Sequence, residues 1–241
     1  MIHKIKHYNT QPTHSTRTMI SIASRTRSRS FSEEPQQAEP TFKVARLFSP
    51  DRVKKTDDQE TNPDESLQNI MKSQGMDVVM NESLALEGFF AKYTEEEVNA
   101  YDAEILTVIR TQDMDKLREF HANGRPLKCS NRFGESLLHL ACRRGFLNVV
   151  TFLIKEANVT VRICDDYGRT ILHDAAWASE PNFGIIELIL KECPDLLYMK
   201  DRRGYTPISY AQQRHWAAWN SFLKERAHLV IPTKLHRKPP Q

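Results

Sequence analysis

The chain is predicted to be an all-α solenoid of stacked helix-turn-helix units with short β-turn tips, preceded by a largely disordered N-terminal region. Three observations predict it. The lines NRFGESLLHLACRRG, DDYGRTILHDAAW and DRRGYTPISYAQQ superimpose, with Gly134, Gly168 and Gly204 spaced 34 and 36 residues apart. Each line switches from turn residues to an apolar run of helical period. The first sixty or so residues, by contrast, are dominated by Ser, Thr, Gln, Pro and charge, with few aliphatics.

The repeat can be read position by position. Asn131, Asp165 and Asp201 stand three residues before each glycine. Short acceptors and glycine at the two ends of a four-residue unit favour a tight turn. Ser136, Thr170 and Thr206 follow, placed to cap the next helix. Pro207 fits a first helical position. His139 and His173 come three residues after the hydroxyl, where their rings can bond a neighbouring turn. A first helix is predicted over Leu137–Arg144, and Gly145 ends it. A second carries Val149–Ile154, and Ile185–Leu190 repeats it one unit later.

This pattern, [DN]-x-x-G-x-[ST]-x-[LI]-H followed by Ala and a later aliphatic helix, resembles the ankyrin repeat. Asn131–Cys164 and Asp165–Lys200 match closely. Asp201–Glu225 is similar to a terminal repeat, with Ser209 in the histidine position, and Trp216 and Trp219 expected to close the stack. Upstream, Asp102–Lys128 keeps the helix pair without the turn signature and resembles an N-terminal cap. Gly124 is placed to end its second helix. The resemblance thus spans Asp102–Arg226. Around it, residues 1–63 are expected as a basic then acidic tail, 64–101 as a partly helical lead-in, and 227–241 as a flexible basic tail. Within the lead-in, Leu84–Tyr93 is expected to cover the apolar end of the first helix pair, and Thr94–Glu97 reads as a capping box that starts the helix entering the repeats. Two residues are extra in the run Ser179-Glu180-Pro181-Asn182, which should bulge from the turn between two helices.

Charge is unevenly spread. The net +3 hides six Lys/Arg and no acid over residues 1–32, 17 acids against seven bases over 33–104, and 14 acids against 21 bases over 105–241. An acidic segment lying along the basic repeats in cis is one consequence to test. Cys129, Cys142, Cys164 and Cys193 lack C-x-x-C spacing and read as buried free thiols. No apolar run approaches the ~20 residues that span a bilayer. Phosphate loops, metal-ligand histidine pairs and nucleophile elbows are missing, so neither enzyme activity, a cofactor nor a small-molecule substrate is expected.

The resemblance implies where binding happens: the turn tips and the exposed face of each first helix. The tips are Arg132, Phe133 and Glu135; Asp166, Tyr167 and Arg169; Arg202, Arg203 and Tyr205. The helix-face positions are Arg143, Arg144, Trp177, Ala178, Gln213 and Arg214. Seven arginines and four aromatics favour an acidic or phosphorylated protein segment as partner. An exposed Trp177 would add to that, unless the inserted run covers it. The alternative is a nucleic-acid-associated regulator using the same arginines with the basic C-terminal tail. A monomer is expected. In the N-terminal tract, Arg27 and Arg29 before Ser30 and Ser32, and Ser49 before Pro50, are phosphorylation candidates. The same acid-free tract reads either as part of a cytoplasmic or nuclear protein or as a mitochondrial address.

Overall fold

A computed structural model describes residues 61–233. It opens with helix α1 (Pro63–Ser73), followed by a two-residue strand β1 (Asn81–Glu82) and the short helix α2 (Glu95–Asn99). The stack then runs through α3 (Ala103–Thr111) and α4 (Met114–Ala122), α5 (Leu137–Arg144) and α6 (Leu147–Lys155), and α7 (Ile171–Trp177) and α8 (Phe183–Glu192). Strand β2 (Met199–Lys200) and helix α9 (Trp216–Glu225) complete it. The mainly helical solenoid predicted from the repeat is present, and its first helix over Leu137–Arg144 has the predicted bounds.

Local chemistry starts each helix. Asp102 and Asp113 accept the backbone N–H three residues on, capping α3 and α4. Ser136 and Thr170 share reciprocal capping boxes with His139 and His173. Asn182 caps α8 from within the inserted run and also donates to the Gly145 carbonyl, 3.2 Å away. The C-terminal end of the insertion is therefore tied both to α8 and to the turn of the preceding unit. α4 ends with Gly124 at φ 76°, as its position suggests.

The three turns are near-copies. In each, the Asn or Asp side-chain oxygen accepts two backbone N–H groups: those of Phe133 and Glu135, of Tyr167 and Arg169, and of Arg203 and Tyr205. Gly134 adopts φ 77°, and a Cβ there would sit 3.1 Å from the Asp165 Cα. Both the left-handed backbone and the close approach of the next turn require glycine.

Consecutive units are sewn together by histidine. His139 Nδ1 accepts from the Ser136 backbone N–H, which puts the ring proton on Nε2. That proton reaches the Arg169 carbonyl of the next unit at 3.1 Å. His173 repeats the arrangement with Thr170 and the Tyr205 carbonyl. Around this seam lies a continuous core in which Leu137, Leu138, Ile171, Leu172, Ile185 and Ile189 are buried. Cys129, Cys142 and Cys193 are buried free thiols, whereas Cys164 is only partly covered.

Four expectations change. The terminal unit lacks a full first helix: Ile208–Tyr210 makes one 3-10 turn, and Ala211 turns extended. The Trp216 indole N–H donates to the Ala211 carbonyl, taking an acceptor that a continuing helix would use. The stack is not closed by tryptophans alone. Although Trp219 is buried against Phe183 and Phe222, α1 packs across α9 and the 3-10 turn at that end. The Thr94–Glu97 capping box forms, but it starts the five-residue α2; Asp102 starts the first repeat helix separately. Packing also extends past Arg226, with Val230 buried and Thr233 bonded to Asp195.

The fifth difference concerns the lead-in. Leu84–Tyr93 does not cover the first helix pair. The segment runs back along the stack from its far end: β1 pairs in parallel with β2, Leu84 lies against Gly168, Ala91 N–H donates to the Arg162 carbonyl, and Tyr93 lies beside Lys128. Backbone pairing at β2 and Arg162 sets its path, and Leu86, Phe89, Phe90 and Tyr93 pack against the core along it.

Candidate functional site

The turn tips form a continuous ridge. Asp166 N–H donates to the Phe133 carbonyl at 3.0 Å, and Arg202 N–H donates to the Tyr167 carbonyl at 2.8 Å. These links fix the spacing of the tips. Phe133 is 51% exposed and Tyr167 58%, the most exposed large apolar side chains among the described residues. The Arg132 guanidinium lies 4.7 Å from the Phe133 ring centre, and that of Arg169 5.5 Å from Tyr167. Cation–π contact holds the rings upright at little entropic cost.

The seven arginines divide into two groups. Four are engaged within the fold. Arg169 bonds Asp165 through Nε at 2.8 Å, and Arg203 bonds Asp201 and the Tyr210 hydroxyl. Arg143 pairs with Glu135 and lies 3.6 Å from Asp174. Arg214 donates to the Ser179 carbonyl at 2.7 Å. Arg132, Arg144 and Arg202 are exposed and make no ion pair among the described residues. Asp166 is exposed on the same ridge. Sequence counting could not separate the groups, although Asp165–Arg169 at four residues' spacing and Asp201–Arg203 in one turn were signals of local pairing.

The helix-face positions are also sorted. Trp177 is half-buried and meets Tyr210 edge-on, with ring centres 6.1 Å apart. Tyr210 and Gln212 of the terminal unit lie against it. Ala178 is buried, which removes it from the exposed set. Gln213 is exposed, and Tyr205 is half-buried beside Arg203. Tyr210, absent from the sequence-derived set, organises this end. Its hydroxyl donates to Asp201 at 2.6 Å, and its ring meets His173, Trp177 and Tyr205 edge-on. The phosphorylation candidates Ser30, Ser32 and Ser49, the basic N-terminal address and the tail beyond Thr233 lie outside the described residues.

The ionisable groups of the scaffold are tuned for silence. Burial lowers the His173 imidazole to about 4, so the ring is neutral and fixed as a hydrogen-bond bridge. Burial pushes the Cys129 and Cys164 thiols up to about 12, and Cys142 well above its ordinary value. None of these is a poised nucleophile or base. Both ring nitrogens of His139 and His173 are occupied, which leaves no lone pair for a metal.

Known proteins place this geometry. The family model for ankyrin repeats, three copies, matches residues 106–196. Diacylglycerol kinase iota of Mus musculus is 27% identical over 165 residues, 67% of this chain and 15% of the kinase. The Rattus norvegicus kinase matches over the same shares. A Rickettsia bellii protein named as an ankyrin repeat protein is 28% identical over 102 residues, 42% of this chain and 54% of its own length. The chain spans under a sixth of the kinases it matches. With like turns, a histidine seam and a matched family model, residues 106–196 of this chain are ankyrin repeats.

Proposed function

We propose that the chain is a non-catalytic adaptor whose turn ridge holds an acidic, extended segment of a protein partner. Ankyrin repeats are in general protein–protein interaction modules. The observation that carries the finer reading is the alternation, along one hydrogen-bonded ridge, of unpaired arginines with exposed rings: Arg132 beside Phe133, then Tyr167, then Arg202. Guanidinium forks pair bidentately with carboxylate or phosphate, and exposed aromatics supply the apolar anchor. Asp166 between them repels an acidic group at that point and sets the register. Of the seven arginines on the ridge and helix faces, three make no ion pair, so a long phosphate backbone finds few partners on that surface, which favours a short acidic segment over nucleic acid.

The test uses the full chain and a labelled peptide of alternating glutamate and leucine, with a phosphoserine version and a lysine version as comparison. Reversing Arg132 and Arg202 to Glu should weaken glutamate-peptide binding at least about tenfold. The Phe133→Ala, Tyr167→Ala pair should do the same. Thermal midpoints should stay put, because the rings are exposed and the two arginines make no ion pair. Equal binding of acidic and basic peptides, or full binding by the charge-reversed variant, would overturn the reading.

A further inference from the structure

The seam that His139 and His173 make between units has no histidine counterpart at the last described unit, because Ser209 stands there. The place is taken from far upstream in the chain. Asp64, in the first turn of α1, accepts from the Thr206 hydroxyl at 3.0 Å and from the Ser209 hydroxyl at 2.9 Å, across sequence separations of 142 and 145 residues. Thr206 and Ser209 occupy the positions of the capping hydroxyl and the bridging histidine. Asn220 on α9 donates to the Thr61 carbonyl at 2.7 Å, and Leu67 and Met71 are buried. The Tyr198 hydroxyl bonds Met71 Sδ and the Val230 carbonyl. The local sequence is built for a helix start: Asn62 caps, Pro63 takes a first-turn position, and two acids follow.

We propose that residues 61–93 are a latch: α1 packs on the last described unit where a following unit would pack, and it releases without unfolding the units before it. The reasons for release lie along the segment. Leu67 and Met71 are the fully buried large apolar side chains of α1, and Ile70 packs against the core while partly exposed. Asn220 Oδ1 at the contact and Ser83 Oγ just after β1 are buried without a protein partner, each a cost that the histidine seams do not carry. The strand pairing is two residues long. Gly75 and Gly88 adopt φ 68° and 72°, with open space where a Cβ would be, so they serve as turning points rather than packing sites. Val79 and Leu84 stay exposed. The internal units are joined by histidine bridges with both ring nitrogens bonded, whereas the segment's contact carries unsatisfied polar atoms and a two-residue strand, which sets its opening below theirs.

Hydrogen exchange of the full chain, read by mass spectrometry, tests this. In the wild type, 63–73 and 201–226 should exchange faster than 137–192, with 63–73 fastest. Asp64→Ala should accelerate 63–73 and 201–226 about tenfold or more, the loss of a charge-assisted pair of bonds, and leave 137–192 unchanged. Leu67→Ala, which removes the apolar anchor instead of the carboxylate, should give the same restricted pattern. Equal acceleration across all units would show a single cooperative body. No acceleration at 201–226 in either variant would show that α1 does not hold the end. Either result overturns the latch.

Discussion

The seam between internal units and the seam at the end of the stack solve one problem with opposite chemistry. Inside, a neutral buried imidazole bridges a hydroxyl and a carbonyl 32 residues away. At the end, a partly covered carboxylate accepts two hydroxyls from the other extremity of the chain. The two also titrate in opposite senses. His173 sits below its unfolded value, so the unfolded chain binds a proton that the folded one refuses, and stability is lost as pH falls from about 6.5 to about 4. Burial raises Asp64 despite its two hydroxyl bonds, so its contribution is greatest in acid and is lost as pH rises through its folded value. The internal seam therefore favours neutral pH, and the end seam favours acid.

The largest effect that would break this comparison is at His173. Replacing it by Ala removes the bridge to Tyr205, leaves the Thr170 backbone N–H unpaired and opens a cavity. A loss of about 3 kcal/mol is expected. The variant should also lose the wild-type decline in urea midpoint between pH 6.5 and 4, a decline of about 3 kcal/mol at most. Urea titrations at four or five pH values measure both. A variant that keeps the acid decline would assign that decline to another group.

A smaller effect probes the turn that both seams depend on. Gly134→Ala must hold a left-handed backbone and place a methyl 3.1 Å from the Asp165 Cα. About 1–2 kcal/mol should be lost. Gly204 shares the left-handed backbone at φ 85° but has open space where the Cβ would be, so Gly204→Ala should lose only about 1 kcal/mol. Equal losses at the two sites would mean that the close approach between turns contributes nothing.

These residues also show what the sequence makes legible. The turn, cap and seam of each repeat lie within a few positions of one another, so spacing alone reveals Asn131, Gly134, Ser136 and His139 as one device. The ridge was half legible. Its tips follow from the repeat, but which arginines stay unpaired depends on contacts such as Arg214 to Ser179 and Arg143 to Asp174 that cross between helices and units. The path of the lead-in was not legible. Asn62-Pro63-Asp64 announces a helix start, and Leu67, Ile70 and Met71 give it an apolar face, yet nothing local says that the face lies on α9. A contact across 142 residues is fixed by the shape of the finished stack, not by any local pattern.

The smallest effect sharpens the comparison most. Ser209→Ala removes one of the two hydroxyls bonded to Asp64 and leaves Thr206, whose hydroxyl also lies 2.9 Å from Ser209 Oγ. Ser209 is exposed, so no cavity follows and water reaches the freed carboxylate oxygen. The expected loss is about 0.5–1 kcal/mol. It should show as faster exchange in 63–73 more than as a lower midpoint for the whole stack. At the corresponding internal position, His139→Ala should lower the midpoint of the stack itself, because that ring is buried and bonds the next unit. The same register position thus acts locally at one end and globally within. If Ser209→Ala lowered the global midpoint as His139→Ala does, α1 would be a true repeat of the array and not a closure laid upon it.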